Sequence, residues 1–317
     1  MSLQPLLCGR RHDAVVVATS GWRLPAAASL LRTVICTDVD GTLFDSSHSL
    51  PAENARVLKL AMAAGCRVVL ATGKAPGAWL QPVMRGLGFP EGGLTLNAPS
   101  VMLNGLLVTG TDGSEASRQL MPRSLVERAL GPGSTWAADC GLTTIAYCTC
   151  GQRAAVLDEW TEHHKRYQEP TVVAIGAEAM AGLGVADSEV FKITWWGEPT
   201  ALTDAQPQIE AALHGATVVR SLDSCLEVLP TGCGKAEGVS AALTLIGADA
   251  SEVLALGDGE NDCEMLRMVR EAGGVSVAMA NGMPRAKEAA GLVGLSNDEG
   301  GVAQAIRQFV IGEKGAL

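Results

Sequence analysis

Apolar positions fall into two kinds of segment along this chain. Short runs rich in β-branched residues read as buried strands, and longer stretches with an apolar residue every third or fourth position read as amphipathic helices. Val34–Thr37 is a run of the first kind. Ala52–Ala64 is of the second, with Ala55, Leu58 and Met62 on one face, and Gly65 closes it before the apolar Cys66–Ala71. Strand, helix and strand in that order make a βαβ unit, which implies parallel neighbours. A helix through about Leu87 follows, then a third strand over Leu94–Asn97 and a hairpin over Val101–Val108 around Asn104-Gly105. The same pattern returns late in the chain. Cys225–Pro230, Glu252–Gly257 and Gly274–Met279 read as strands, and Ala236–Ile246, Pro284–Ala290 and Gly301–Ile311 as helices.

The middle is different. Helical stretches (Ser124–Leu130, Gln152–Tyr167, Thr203–Leu213) alternate there with strand-like runs (Thr143–Cys148, Thr171–Ile175, Val190–Trp196, Ala216–Val219). The expected fold class is therefore α/β. A Rossmann-like, doubly wound parallel-sheet core comprises residues 33–117 and 225–317, and an α+β unit is inserted over 118–224.

Several strands end on polar clusters, where an open α/β sheet places its ligand crevice. Val34–Thr37 runs into Asp38-Val39-Asp40-Gly41-Thr42. Asp-x-Asp-Gly also occurs in plain turns and calcium loops, but a calcium loop wants glutamate at its twelfth position, and here that is Ser49. A catalytic or metal-binding role for Asp38 and Asp40 is the stronger reading. Thr72-Gly73-Lys74, at a strand-to-helix junction, offers a hydroxyl, backbone N–H groups and a cation to a phosphate oxygen. Thr231–Lys235 is glycine-rich but lacks the first glycine and the closing Ser/Thr of a P-loop, which leaves Lys235 as a candidate phosphate ligand. Asp258-Gly259-Glu260-Asn261-Asp262 crowds three acids and an asparagine at a strand end, and such acids repel unless a cation offsets them.

Composition narrows the partners. A net charge of −10 argues against a sequence-independent nucleic-acid binder. No uninterrupted apolar run approaches the ~18 residues of a membrane-spanning helix. Nine cysteines, odd in number and mostly within apolar patterns, suit free thiols in a reducing intracellular compartment. Cys148-Thr149-Cys150 is the one close pair, too little for a zinc site. His163 and His164, adjacent on a helix, point apart and read as surface and core residues. The first 32 residues hold Arg10, Arg11, Arg23 and Arg32 against the single acid Asp13. That composition fits an organellar transit peptide, and equally a ragged N-terminus with a strand over Ala14–Ala18. Nothing indicates an oligomeric state.

Taken together and in this order, Asp38-Val39-Asp40-Gly41-Thr42, Thr72-Gly73-Lys74, Lys235 and Gly257–Asp262 resemble the four motifs of the haloacid dehalogenase superfamily of phosphohydrolases. Over about Thr33–Phe309 the chain resembles the Cof-type branch. Asn97 matches an asparagine after the second motif, and Val277–Gly282 matches a Val-Ala-Met-x-Asn-Gly segment. Two positions depart from the pattern. Lys74 replaces an arginine, keeping charge but losing a bidentate fork, and Asn97-Ala98-Pro99 stands for the usual Asn-Gly-Ala. Lys74, the Asn104-Gly105 hairpin and the alanine content resemble a plant or algal branch, which adds a plastid to the cytoplasm as a location.

The resemblance implies a phosphatase with Mg2+ as cofactor and a small phosphorylated metabolite, such as a sugar phosphate or a flavin-pathway phosphate, as substrate. Asp38 would be the nucleophile and Asp40 the general acid and base. Asp38, the Asp40 carbonyl, Asp258 and Asp262 would serve the metal, and Thr72, Gly73, Lys235 and Asn281 the phosphate. Gly41, Thr42, Lys74, Asn97 and Asn261 would support them, and residues 118–224 would form a mobile lid. A phosphosugar mutase shares core and lid, and would need lid cations such as Arg118, Arg123, Arg128, Arg153, Lys165 or Arg166 for a second phosphate. A non-catalytic regulator should have lost Asp38, Asp40, Lys235 or Asp258, yet all four remain.

Overall fold

The structure is a computed structural model and describes residues 32–90, 92–183 and 189–312. The readings made of residues 1–31 lie outside the described residues. Arg32, at their edge, donates to the carbonyls of Ser251 and Gly273.

The chain opens with β1 (Val34–Thr37), α1 (Ala52–Ala63), β2 (Arg67–Leu70), α2 (Leu80–Leu87), β3 (Val101–Met102), β4 (Leu107–Thr109) and β5 (Glu115–Arg118). The inserted region contains α3 (Arg123–Leu130), α4 (Trp136–Asp139), β6 (Thr143–Cys148), β7 (Gly151–Ala154), α5 (Glu159–His164), β8 (Val173–Ala174), α6 (Ala177–Gly182), β9 (Val190–Trp196), α7 (Pro199–Ala212), β10 (Ala216–Leu222) and β11 (Cys225–Pro230). It closes with α8 (Lys235–Ile246), β12 (Val253–Gly257), α9 (Cys263–Glu271), β13 (Val275–Ala278), α10 (Pro284–Ala289), β14 (Leu292–Val293) and α11 (Gly301–Ile306).

The core sheet runs β14-β13-β12-β1-β2, every pair parallel. Ala71, just past β2, bridges Val101 in parallel and brings β3 alongside. Both central strands are buried along their whole length, which fits their lack of polar alternation. On one face Leu58, Val83 and Ile306 from α1, α2 and α11 pack with Ile35 and Leu254. On the other, Val239, Leu266 and Ala286 from α8, α9 and α10 pack with Val34 and Val253. The core is doubly wound α/β, as the periodicity implied. Gly238 lets α8 approach the β3–β4 turn, because a Cβ there would lie 2.4 Å from Val101 Cγ1.

The second sheet, order β10-β11-β9-β6-β7-β8, is the body of the insertion. Ile193 and Trp195 of β9 face α3 and α7 across residues such as Leu125 and Ile209. The alternate residues Lys192, Thr194 and Trp196 line a cleft against the core, as the two-residue period of a strand requires.

Three expectations are corrected here. Cys225–Pro230, expected in the core, pairs with both β10 and β9 and extends the insertion to Pro230. Its uninterrupted apolar run signals burial, and burial alone does not say in which sheet. Leu94–Asn97 forms no strand. Gln152–Tyr167 is not one helix, because its start pairs with β6 as β7. Asp158 then caps α5, accepting from Trp160 N at 3.0 Å and Thr161 N at 2.9 Å. Among the described residues, no helix is long and apolar enough to cross a membrane.

Candidate active site

β1 carries its pairing one residue beyond the strand, since Asp38 N donates to Leu256 O at 2.9 Å. The chain then leaves the sheet through 39–43, where Gly41 has φ +75. A Cβ on Gly41 would sit 2.4 Å from Asp258 Oδ2, so conformation and space both require glycine there. Thr42 Oγ1 donates to Asp258 Oδ1 at 2.6 Å, tying the loop after β1 to the one after β12.

Asp262 is fully buried and has both oxygens engaged. Oδ2 accepts from Asp258 N and Gly259 N, each at 2.9 Å, and Oδ1 accepts from Lys235 Nζ at 2.7 Å. Lys235, the first residue of α8 and 1% exposed, also donates to Asp38 Oδ1 at 2.5 Å. Asp38, Asp258 and Asp262 thus bring ligand oxygens within 4.8 Å of one another around a single ammonium.

Charge at this floor is unbalanced. Burial pushes the Asp38 carboxyl well above its ordinary range, and Asp262 and Asp258 add to it while Lys235 opposes. Asp258 is pushed up to about 7 by burial and then by Asp262. Lys235 rises despite burial because Asp262 and Asp38 hold its proton. Hard oxygen donors with excess negative charge are the chemistry a divalent cation such as magnesium takes. Asp38 and Asp258 have oxygens to give it. Asp262, with both oxygens engaged, instead fixes Lys235 and the 258–259 backbone.

Asp40 sits in another environment. Lys74 Nζ donates to its Oδ2 at 2.7 Å, and His48 Nδ1 lies 3.5 Å from Oδ1. Burial pushes its carboxyl up, but the His48 hydrogen bond and the Lys74 charge outweigh that and leave it below its ordinary value. Lys74 is buried beneath the Tyr167 ring, 5.5 Å from its centroid. Thr72 is buried beside it, its Oγ1 accepting from Lys74 N at 3.1 Å.

Asp38, Asp40, Thr72, Gly73, Lys74, Asp258 and Asn261 line one cleft, and Lys235 reaches it through Asp38. Two expected residues stand elsewhere. Asn97 accepts from Val68 N at 2.9 Å and donates to Cys66 O at 2.8 Å. Those groups lie at the start of β2, whereas the cleft lies past the strand ends. The asparagine that supports the cleft from behind is Asn104, which follows β3, has φ +55, is fully buried and accepts from Nδ2 of the cleft residue Asn261 at 2.9 Å. Asn104-Gly105 was visible in the sequence as a turn, and its place directly after an apolar run was the signal for a site. Asn281 is spent on backbone, donating to Gly41 O at 2.8 Å and accepting from Asn297 N at 2.9 Å, so it braces the 39–43 loop.

Spacing did not reveal the residues that the insertion brings over the cleft: Tyr147, Tyr167, Glu169, Lys192, Trp196 and Glu227. Nor did it reveal His48, whose ring meets Tyr167 edge-on at 4.9 Å. Burial pushes the Glu169 carboxyl up to about 7, against the pull of Lys74 and Lys192.

The model of one family, described as haloacid dehalogenase-like hydrolase, matches residues 35–306. The chain belongs to that family. Within it, the chain is of the Cof-type branch. It is 31% identical over 282 residues to an Arabidopsis thaliana protein named endoribonuclease YBEY, chloroplastic, covering 87% of this chain and 46% of that one. The chain therefore spans about half the length of that relative. A Shigella flexneri HMP-PP phosphatase is 28% identical over 257 residues, covering 80% and 86% of the two chains. The crystal structure of a haloacid dehalogenase-like hydrolase from Bacteroides thetaiotaomicron superposes with a TM-score of 0.70 at 26% identity, covering 87% of this chain and 99% of that one.

Proposed function

We propose that the protein is a magnesium-dependent phosphomonoesterase that works through an aspartyl-phosphate. An Asp38 oxygen attacks phosphorus, the ester P–O bond breaks, and Asp40, which takes up a proton from water once the bound phosphate's charge offsets the pull of Lys74 and His48, gives that proton to the departing alcohol oxygen. Asp40, now a carboxylate, takes a proton from the water that attacks the aspartyl-phosphate. Inorganic phosphate leaves and Asp38 is regenerated. Thr72 Oγ1, the N–H groups of the 72–74 loop and the Lys235 ammonium stabilise the phosphoryl oxygens. Asp38, the Asp40 carbonyl and Asp258 would hold the magnesium. Bound there, it offsets the repulsion between carboxylates and phosphate and keeps Asp38 ionised.

The observation that carries this reading is the convergence, at one strand end, of two carboxylates in different settings. Asp38 is gripped by Lys235 and groups with Asp258 and Asp262, while Asp40 is gripped by Lys74 beside Thr72 in the same cleft.

The substrate in this proposal is a small monoester without a second phosphate. The two cations lining the cleft, Lys74 and Lys192, are paired with Asp40 and Glu227. None of Arg118, Arg123, Arg128, Arg153, Lys165 and Arg166 lines it, which favours hydrolysis over a mutase. A plastid location belongs to the same proposal and is supported by the chloroplastic relative.

Phosphate release from a panel of phosphorylated metabolites, with magnesium and with chelator, tests this reading. It expects release that needs the metal. Isomerisation of a hexose phosphate without release would overturn it.

A further inference from the structure

Lys192 and Glu227 come from the insertion, on β9 and β11, yet their bonds go to the core. Lys192 Nζ donates to Gly73 O at 2.7 Å and pairs with Glu227 Oε2, and its third side meets the Tyr147 ring 4.5 Å from the centroid. Of the ammonium's three donors, two are bonded and the third side is covered by that ring. Glu227 Oε2 also accepts from Asn104 Nδ2 at 2.8 Å, and Asn104 Oδ1 accepts from Asn261 Nδ2 at 2.9 Å. A Cβ on residue 73 would stand 3.2 Å from both Asn104 Oδ1 and Glu227 Oε1. Lys192 is 1% exposed, Glu227 5% and Asn104 0%.

The ion pair thus reaches two loops of the cleft, the first at its backbone and the second through the side chains of Asn104 and Asn261. The first is the Thr72–Lys74 loop, and the second is the Gly257–Asp262 loop. We infer that Lys192 and Glu227 are positioning residues by which the docked lid sets the phosphate-binding loops, so that the lid governs turnover independently of the alcohol being released. The inference rests on the phosphatase reading. It differs from a role in specificity, because the Lys192 ammonium and the shared oxygen of Glu227 are already engaged by groups of the protein. Moving the lid off the core would break the bonds to Gly73 O and Asn104, and the 72–74 loop would lose its outer support.

Removing one partner alone would strand a buried charge, whereas replacing both with apolar side chains is often tolerated. The test is therefore Lys192→Met/Glu227→Met in the full chain with magnesium, with Glu227→Gln as a variant that keeps shape should the double replacement unfold. The assay compares kcat/KM for an aryl, a hexose and a nucleoside monophosphate, together with the inhibition constant of orthovanadate. The expected result is a loss of about tenfold or more that is common to all three esters, with vanadate inhibition weakened by a similar factor. Losses that differ between the alcohols with vanadate inhibition unchanged would make these residues leaving-group contacts and overturn the inference, as would unaltered turnover. Wild-type turnover in the same assay separates failure of the hydrolase reading from failure of this one.

Discussion

The floor of the cleft and the Lys192–Glu227 pair of the lid above it are both charged and both buried, but only the pair is internally balanced. At the floor, Asp38, Asp258 and Asp262 face one lysine, and Asp38 and Asp258 are forced upward in pKa. In the lid, Lys192 and Glu227 neutralise each other, and His164 is held neutral, its pKa lowered to about 3 by burial with Lys192 and Lys74 adding to it. A floor short of positive charge is built to be completed by something that arrives. The Lys192–Glu227 pair, with both charges on the lid, leaves neither of them dependent on the core for its counter-charge. Electrostatic demand and positioning are thereby assigned to different sheets.

The largest effect should come from the floor. Asp38→Asn keeps a hydrogen-bonding side chain beside Lys235 but removes the nucleophile, and kcat should fall by about 10^3-fold or more in steady-state phosphate release. A variant retaining most activity would break the asymmetry, since the floor would then hold charge for no chemical purpose.

A smaller, thermodynamic effect concerns the charge deficit itself. Magnesium should raise the unfolding temperature of the wild type, with roughly 2.7 kcal/mol gained at a hundredfold excess over its dissociation constant. Asp258→Asn should make the metal-free protein more stable, because a crowded carboxylate is gone, and should abolish the response to magnesium. Thermal melts of both proteins with and without the metal show whether the metal-free midpoint rises in the variant while the magnesium-induced rise disappears.

The lid gives a pH-dependent counterpart. His164 is bonded to the Tyr147 hydroxyl at 3.0 Å and stays neutral in the folded state, with a pKa of about 3 against 6.5 unfolded. Below 6.5 the unfolded chain takes a proton that the folded chain refuses, so stability is lost as pH falls from there toward 3. By pH 5 this one group should cost about 2 kcal/mol. His164→Gln should remove that dependence, seen as a shallower fall in denaturation midpoint between pH 7 and 5. An unchanged slope would mean that the histidine titrates freely.

The smallest effect separates structure from site. Asn97→Ala should lower stability by about 1–2 kcal/mol through its two lost backbone bonds and leave kcat unaltered. Asn104→Ala should lower kcat.

The contrast between Asn97 and Asn104 also shows what could be read from the sequence. The floor was legible because each of its residues is announced locally: Val34–Thr37 runs straight into Asp38, Val253–Gly257 into Asp258, and Gly234 into Lys235 at the start of α8. The lid's contribution was not. Lys192 meets Gly73 across 119 positions and Glu227 meets Asn104 across 123, distances at which no periodicity reports a contact. Cys225–Pro230 was placed in the wrong sheet for the same reason, and Glu227, which lies within it, went unseen as a lid residue. His48 was hidden in a polar loop and acquires meaning only from Asp40 and Tyr167 folding against it.

The central claim is that the unbalanced floor serves covalent phosphoryl transfer at Asp38. Rapid acid quench of the magnesium-loaded protein during turnover, followed by peptide mass mapping, addresses it directly. The account expects a phosphoryl group on the peptide bearing Asp38, absent with chelator and absent in Asp38→Asn. Steady turnover with that peptide unmodified at every quench time, or with the label on another residue, would contradict it.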